Sequence, residues 1–444
     1  EHTPDSGSDA LQRAMWRVDA GLPADLDSLL RGAQLAAALQ DSVSALRLAR
    51  PLFEVGPTAE LGSLIADALY RTGQWAEAFE ILDLASALPA ASKVRVELAV
   101  IRATVMLWGL GDPDGALRTM EVMRADPAME RVDLDRLNAE YAAILVNAGR
   151  PGEALAELEN AAATGRRRTQ LSIAVSHAQA LAMAGHTTRA LVAMDSADAL
   201  MVRVGGVIGP ANGAFLVARV VALIEAGDLA RAVQLAEEGY ERAVNASRPL
   251  NQFWISLLLG RALLLQGAIQ TSLMWFDSAR ALGFHLGLSG PVRRALTGCA
   301  VTHALAGDPV AAAESLAEID QTTPFGFMAP EQALADAWVA VANGNLAEAR
   351  AVLTAGALDA METGHVTSAV WMLHDVARLG DASDVADLIT QCADGSESAF
   401  VRARAAHVRA IVANDLDAMV AAAAEFETIG ANLLASEAYV AAAE

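Results

Sequence analysis

Residues 218–236 run ARVVALIEAGDLARAVQLA. Two apolar helical stretches meet at Gly227, with Leu223 four residues before it and Ala232 five residues after it. Glycine takes the left-handed backbone that ends a helix more readily than other residues, and Asp228 directly behind it is of a helix-capping type. The stretch therefore predicts a first helix, a tight turn and a second helix. The small Ala232 lets that second helix press against the first.

The same arrangement recurs along the chain. Turn glycines stand at Gly73, Gly111, Gly149, Gly185, Gly227, Gly267, Gly307, Gly344 and Gly380, and Asn414 occupies the next place, at spacings of 34 to 42 residues. Leucine precedes the turn at Leu69, Leu107, Leu145, Leu181, Leu223 and Leu263. Alanine follows it at Ala78, Ala116, Ala154, Ala190, Ala232, Ala312 and Ala349. Capping residues stand at Asp112, Asp228, Asp308, Asn345 and Asp381, and a weaker first unit turns near Gln40 and Asp41 with Ala45 as its small residue. The unit resembles the tetratricopeptide repeat, at a longer and more variable period. Each helix pair leaves an apolar face that only the next pair can cover, so the pattern predicts an all-α superhelical solenoid of about eleven tetratricopeptide-like pairs. First helices (A) are expected on the concave side and second helices (B) on the convex side. Residues 1–10 form a polar lead-in, and residues 11–444 one continuous array.

Composition agrees. Hydrophobic residues make up 54% of the chain but aromatics only 5%, and alanine, the best helix former, leads the apolar share. No β-branched runs bounded by turns predict a sheet. The net charge is −22, and Lys93 is the only lysine. Such a surface repels phosphate backbones and anionic lipid, so nucleic acid and membrane are not expected partners. Cys299 and Cys392 lie in apolar helical pattern and are expected as buried free thiols. No stretch is long and apolar enough for a membrane span and no signal peptide opens the chain, which points to the cytoplasm. The first residue is Glu1 and the last lie in an uncapped helical pattern, so the expectation is a piece of a longer protein.

Several stretches carry a narrower likeness. They are WGLGDPDGALRTM (108–120), SLMWFDSARALGFHLG (272–287), ALTGCAVTHALAGD (295–308), VARLGD (376–381) and FETIGANLLASEAYVAAAE (426–444). In order and spacing they resemble the helical region of actinobacterial LuxR-type transcriptional regulators, the group that includes MalT-like proteins. The resemblance covers roughly residue 28 to the end. It implies a sensor region between an ATPase domain and a DNA-binding helix-turn-helix domain, with the repeats binding an inducer or a partner; some relatives bind small sugars there. Neither a phosphate loop of the GxxxxGK[ST] type nor a basic DNA-reading helix is present in this sequence, so both activities would belong to other segments.

The sequence predicts no catalytic residue, cofactor or metal site. No two histidines stand four apart, no HExxH or GxSxG occurs, and no Cys/His group has metal-ligand spacing. Gly205-Gly206-Val207-Ile208-Gly209 lacks a preceding strand and is expected to be a flexible link, and Arg166-Arg167-Arg168 a solvated face or inter-repeat salt bridges. Of the basic residues mid-array, Arg261, Arg293 and Arg294 stand out.

Sugar recognition needs a flat apolar ring with polar side chains around it. Such groups gather near the starts of the middle A helices: Asn212 and Phe215; Asn251, Gln252 and Trp254; Arg293 and Arg294; Phe327, Glu331 and Asp336. Trp338, Trp371 and His374 lie in A helices further on. A helices pack about 10 Å apart, so these positions are expected to form a row across the concave groove. The expected function is an inducer-sensing domain binding a small molecule, a disaccharide, and relaying it to the ATPase and DNA-binding domains. The alternative is a scaffold for a peptide or partner helix.

Overall fold

The structure, a computed structural model, describes residues 7–20, 26–39, 41–160, 167–203 and 213–443. The chain divides into two compact units, residues 1–137 and 138–444. The first holds α1 (Gly7–Asp19), α2 (Leu26–Ala38), α3 (Ser42–Val55), α4 (Ala59–Arg71), α5 (Trp75–Ser86), α6 (Ser92–Val105) and α7 (Pro113–Arg124); α8 (Arg131–Asn147) starts in it. The second holds α9 (Pro151–Asn160), α10 (Arg167–Met183), α11 (Thr187–Arg203), α12 (Gly213–Ala226), α13 (Leu229–Asn245), α14 (Pro249–Gln266), α15 (Ile269–His285) and α16 (Ser289–Leu305). It continues through α17 (Pro309–Ile319), α18 (Gln332–Ala342), α19 (Leu346–Thr363), α20 (Val366–Val376), α21 (Ala382–Ala393), α22 (Ala399–Ala413), α23 (Leu416–Ile429) and α24 (Asn432–Ala443). No strand occurs among the described residues. The first helix begins at Gly7, inside the stretch expected as lead-in.

The glycine pattern produces the hairpins. All nine turn glycines and Asn414 have positive φ. At the Gly227 turn the amide of Gly227 donates to Ile224 O at 3.1 Å and that of Asp228 to Leu223 O at 3.0 Å, which satisfies carbonyls the helix end leaves open. The Asn414 turn repeats this, with Asp415 N donating to Ala410 O at 3.0 Å. The seven post-turn alanines are fully buried, and the leucines before the turns are buried. Asp112, Asp228 and Asp308 cap the next helix through their side chains. Asn345 and Asp381 do not; Asp381 takes Arg350 instead, at 2.5 Å. Both cysteines are buried and free.

In the first unit the pairs α2/α3 and α4/α5, joined by α6, stack around Leu48, Ile65, Leu69 and Leu82, and α7 packs on α6. In the second the pairs coil tightly enough to meet themselves. Helix α10 touches α20, α12 touches α22, and α14 touches α24. Early hairpin tips dock on the links before, or the first turns of, A helices ten to twelve helices later. Gly149 lies against Gly326, Gly227 against Phe400 and Ile429, and Gly267 against Leu433. Hydrogen bonds seal the docking: Glu397 N to Gly185 O at 2.8 Å, Ser398 Oγ to Glu225 O at 2.5 Å, and Arg189 to the Glu397 carboxylate at 3.0 Å.

This separates two kinds of turn glycine. A Cβ at Gly267 would meet Leu433 Cβ at 2.7 Å and its amide nitrogen at 3.0 Å, whereas one at Gly307 would meet nothing within 4 Å. Both residues are left-handed, with φ of 83° and 79°, so both alanine variants carry the same backbone strain of about 1–2 kcal/mol. Gly267→Ala is expected to cost at least about 1 kcal/mol more than Gly307→Ala in urea unfolding, because only Gly267 has another segment against it. Equal costs would contradict the self-docking of the coil.

Candidate functional site

Helix α14 contains the run Leu257-Leu258-Leu259-Gly260-Arg261-Ala262-Leu263-Leu264-Leu265, every residue of it buried. A helix apolar on all sides belongs in a core, and a guanidinium placed there must find partners. Arg261 finds two carboxylates. It donates to Glu331 from Nη2 at 2.6 Å and from Nε at 3.2 Å, and pairs through Nη1 with Glu225 Oε1 at 2.7 Å. Ser368 Oγ donates to Glu331 Oε1 at 2.9 Å. The three charges come from α12, α14 and the single turn Ala329–Glu331, far apart in sequence.

The electrostatics follow from this geometry. Burial works against the Arg261 cation, but Glu225 and Glu331 more than offset it and hold its pKa above the ordinary value. Burial would raise Glu331, yet Arg261, Arg294 and the Ser368 hydroxyl keep it below the usual carboxylate range. Glu225 goes the other way: burial and the Glu331 charge outweigh Arg261, and its pKa is raised. Arg294 donates to Met328 O at 2.6 Å, and burial brings it down to about 10.

The network continues through aromatic rings. Arg261 and Arg404 both stand over Trp371, at 5.5 and 5.3 Å from the ring centre. Arg404 also lies 3.9 Å over Phe400, and burial lowers it to about 10. Trp338 Nε1 donates to Asp375 at 3.1 Å, Arg378 donates to Asp375 at 2.7 Å, and Arg378 reaches Glu437 through two further bonds of 2.7 Å. His374 Nε2 and His407 Nδ1 are 3.0 Å apart in the same layer. Between Arg261, Arg294, Thr297, Glu331 and Trp371 lies a cavity of about 40 Å³. That volume holds one or two waters.

The positions expected to form the sugar row are distributed as follows. Asn212 lies outside the described residues. Phe215, Trp254, Arg294, Phe327, Glu331, Trp338, Trp371 and His374 are buried, while Asn251, Gln252, Arg293 and Asp336 are half-buried. Trp254 sits in an aromatic cluster, 5.1 Å from Phe253, 6.2 Å from Phe325 and 5.9 Å from Phe327. Arg293 donates to Gln332 at 2.6 Å and to Ile319 O at 3.0 Å. Gln252 donates to Ala243 O at 3.3 Å. Burial, with Asp320 adding to it, raises the Asp336 carboxyl. Thus Arg294, Glu331 and Trp371 converge on the cavity and Trp254 meets Phe327. Asn251 and Gln252 belong to the start of α14, away from the cavity lining.

Sequence reasoning did not single out Glu225, Ser368, Asp375, Arg378, Arg404 and His407. One signal was available: a charged residue inside an otherwise apolar helical run, as with Glu225 in VALIEAG and Arg404 in ARAAHV.

No family model and no curated protein matches the chain. Among solved structures, Rap protein complexed with competence and sporulation factor matches at a TM-score of 0.52 and 11% identity, over 80% of this chain and 99% of that one. The APC/C hetero-tetramer Cut9–Hcn1 gives 0.46 and 13%, over 98% and 90%. A tetratricopeptide repeat protein from Parabacteroides merdae gives 0.37 and 15%, over 61% and 98%. At 11% identity the likeness to the Rap protein concerns the fold alone, and with its stacked helix pairs this chain is a helical repeat protein of tetratricopeptide-like fold.

Proposed function

We propose that the chain is the ligand-sensing and interaction region of a LuxR-type, MalT-like regulator, and that it works by binding and not by catalysis. The observation that carries this reading is the buried Arg261–Glu225–Glu331 group at the centre of the second unit. Buried ion pairs are costly to desolvate and seldom the most stable filling for a core. A wall made of them has a second arrangement within reach, in which a polar ligand replaces one of the partners. The central cavity admits no sugar ring, so a disaccharide would bind as α14 and the Ala329–Glu331 turn part. It can shift that balance only by its difference in affinity between the two arrangements. ATPase and DNA-binding domains would receive the change. Buried thiols support a non-catalytic reading: burial pushes Cys299 upward and Cys392 to about 11, so neither is a nucleophile near neutrality.

The test is a thermal-shift and small-angle-scattering panel of disaccharides on the whole chain. At about a hundredfold excess over Kd, a ligand should stabilise by about 2.7 kcal/mol, with a change in radius of gyration. Thr297→Val, which keeps the side chain's shape at the cavity wall but removes its hydroxyl, should weaken the response and leave the fold intact. Trp254→Ala is a poor probe, since it empties an aromatic cluster at about 3–5 kcal/mol. If no disaccharide shifts the transition, the inducer reading fails. A partner-protein reading then gains from Met274, Phe284 and Val310, which lie exposed on B helices.

A further inference from the structure

The first unit carries a separate concavity. Helix α6 turns one face to it through Arg95, Leu98 and Arg102, and Met106, the residue after α6, continues the same helical stripe. Helix α7 supplies the opposite wall with Arg118 and Val122. The groove encloses about 550 Å³, within the range of small-molecule sites. It lies where α6 ends in a π-turn, Met106–Leu110, a distortion that often accompanies functional sites. Gly115 allows the start of α7 to lie directly on Met106 and Asp112.

Its charge is opposite to that of the chain. Three guanidiniums face one groove in a polypeptide of net charge −22. Arg95 pairs with Asp126, and Arg102 pairs with Asp83 at 2.5 Å while lying over the Phe79 ring at 4.8 Å. Arg118 is exposed and meets no carboxylate among the described residues. Beside it Val122 is 74% exposed. An apolar floor of Leu98 and Met106 with one uncommitted cation at its rim suits a molecule with an apolar body and an anionic head.

We propose that this groove binds a small amphipathic anion, a carboxylate or phosphate on a short apolar body. The body lies along Leu98, Met106 and Val122, and the head takes Arg118; Arg95 and Arg102 are each paired with an aspartate, and among the described residues no carboxylate lines the groove. Two-point recognition of this kind rejects neutral and cationic analogues of the same chain length. It does not depend on the central wall of the second unit.

Isothermal titration on the whole chain, with octanoate and octyl phosphate as probes and octanol and octyltrimethylammonium as controls, tests it. One or both anions should bind, which also tells carboxylate from phosphate, and affinity should fall as salt is raised. Arg118→Glu should weaken binding at least about tenfold, since a favourable charge contact becomes a repulsive one. Arg118→Lys should keep most of it, and Asn251→Ala should leave it unchanged. As Arg118 is exposed, both rim variants are expected to fold, which urea unfolding checks. Octanol binding as tightly as octanoate, no binding by either anion, or equal binding by Arg118→Glu would each overturn the proposal.

Discussion

Arg261→Ala is expected to lower the stability of the second unit by about 3–5 kcal/mol, the usual cost of removing one member of a buried ion pair. The loss comes from what stays behind. Glu225 and Glu331 are both buried, and without the guanidinium each loses its main counter-charge in a medium that solvates a carboxylate poorly. Glu331 retains Arg294 and the Ser368 hydroxyl nearby, while Glu225 is already raised in pKa and loses its ion pair with Arg261. Removing all three charges at once should behave differently. Arg261→Met with Glu225→Leu and Glu331→Leu replaces the group by apolar side chains of similar size, and such replacements are often neutral or stabilising by about 1–4 kcal/mol. Because long repeat arrays can lose cooperativity, the measurement should be resolved by segment, by hydrogen exchange on α12, α14 and α20. A triple variant as unstable as Arg261→Ala would mean that the network is a structural necessity. A stable triple variant that no longer responds to ligand would place the wall's purpose in switching.

The hairpins were legible in the sequence because their cause is local. A left-handed residue must end each A helix, and the identities of Gly227 and its eight counterparts announce it within a few positions. The buried alanines follow from the same short-range geometry. The tight coiling was not legible, because it depends on meetings such as Gly267 with Leu433, where neither residue carries a mark of its partner. The candidate site suffered from this directly. An open groove would leave Trp254 and Trp371 as exposed rings. In the folded chain the link after α17 brings Phe325 and Phe327 onto Trp254, and two arginines enclose Trp371. Arg261 was visible as a charge out of place, but the position of Glu331, 70 residues away, is a property of superhelical pitch and not of any motif.

A second large effect is expected on acidification. His365 and His407 are buried neutral, and burial, the first cause in both, lowers each pKa to about 4. His374 is lowered well below the ordinary value by burial, then by His407, Arg404 and Arg378. In the unfolded chain these rings titrate near 6.5. Below that pH the unfolded state takes up protons that the folded state refuses, so their contribution to stability is intact above about 6.5 and is lost as pH falls towards 4. For His365 and His407 the loss between pH 7 and pH 5 is about 2 kcal/mol each, with His374 adding in the same direction. Glu225, whose folded pKa is raised, contributes with the opposite sign and offsets part of this. The paired variant His374→Phe with His407→Leu isolates the effect, since it removes the 3.0 Å contact from both sides and leaves no orphaned imidazole nitrogen. Urea midpoints at pH 7, 6 and 5 should fall steeply for the parent and more gently for the pair, with His365, and His177 and His186 whose pKa burial also lowers, supplying the remaining slope. Parallel lines for the two proteins would show that these rings are already protonated, or already solvated, in the folded chain. In that event Phe426, packed 5.6 Å from both imidazoles, could not be shielding them from water.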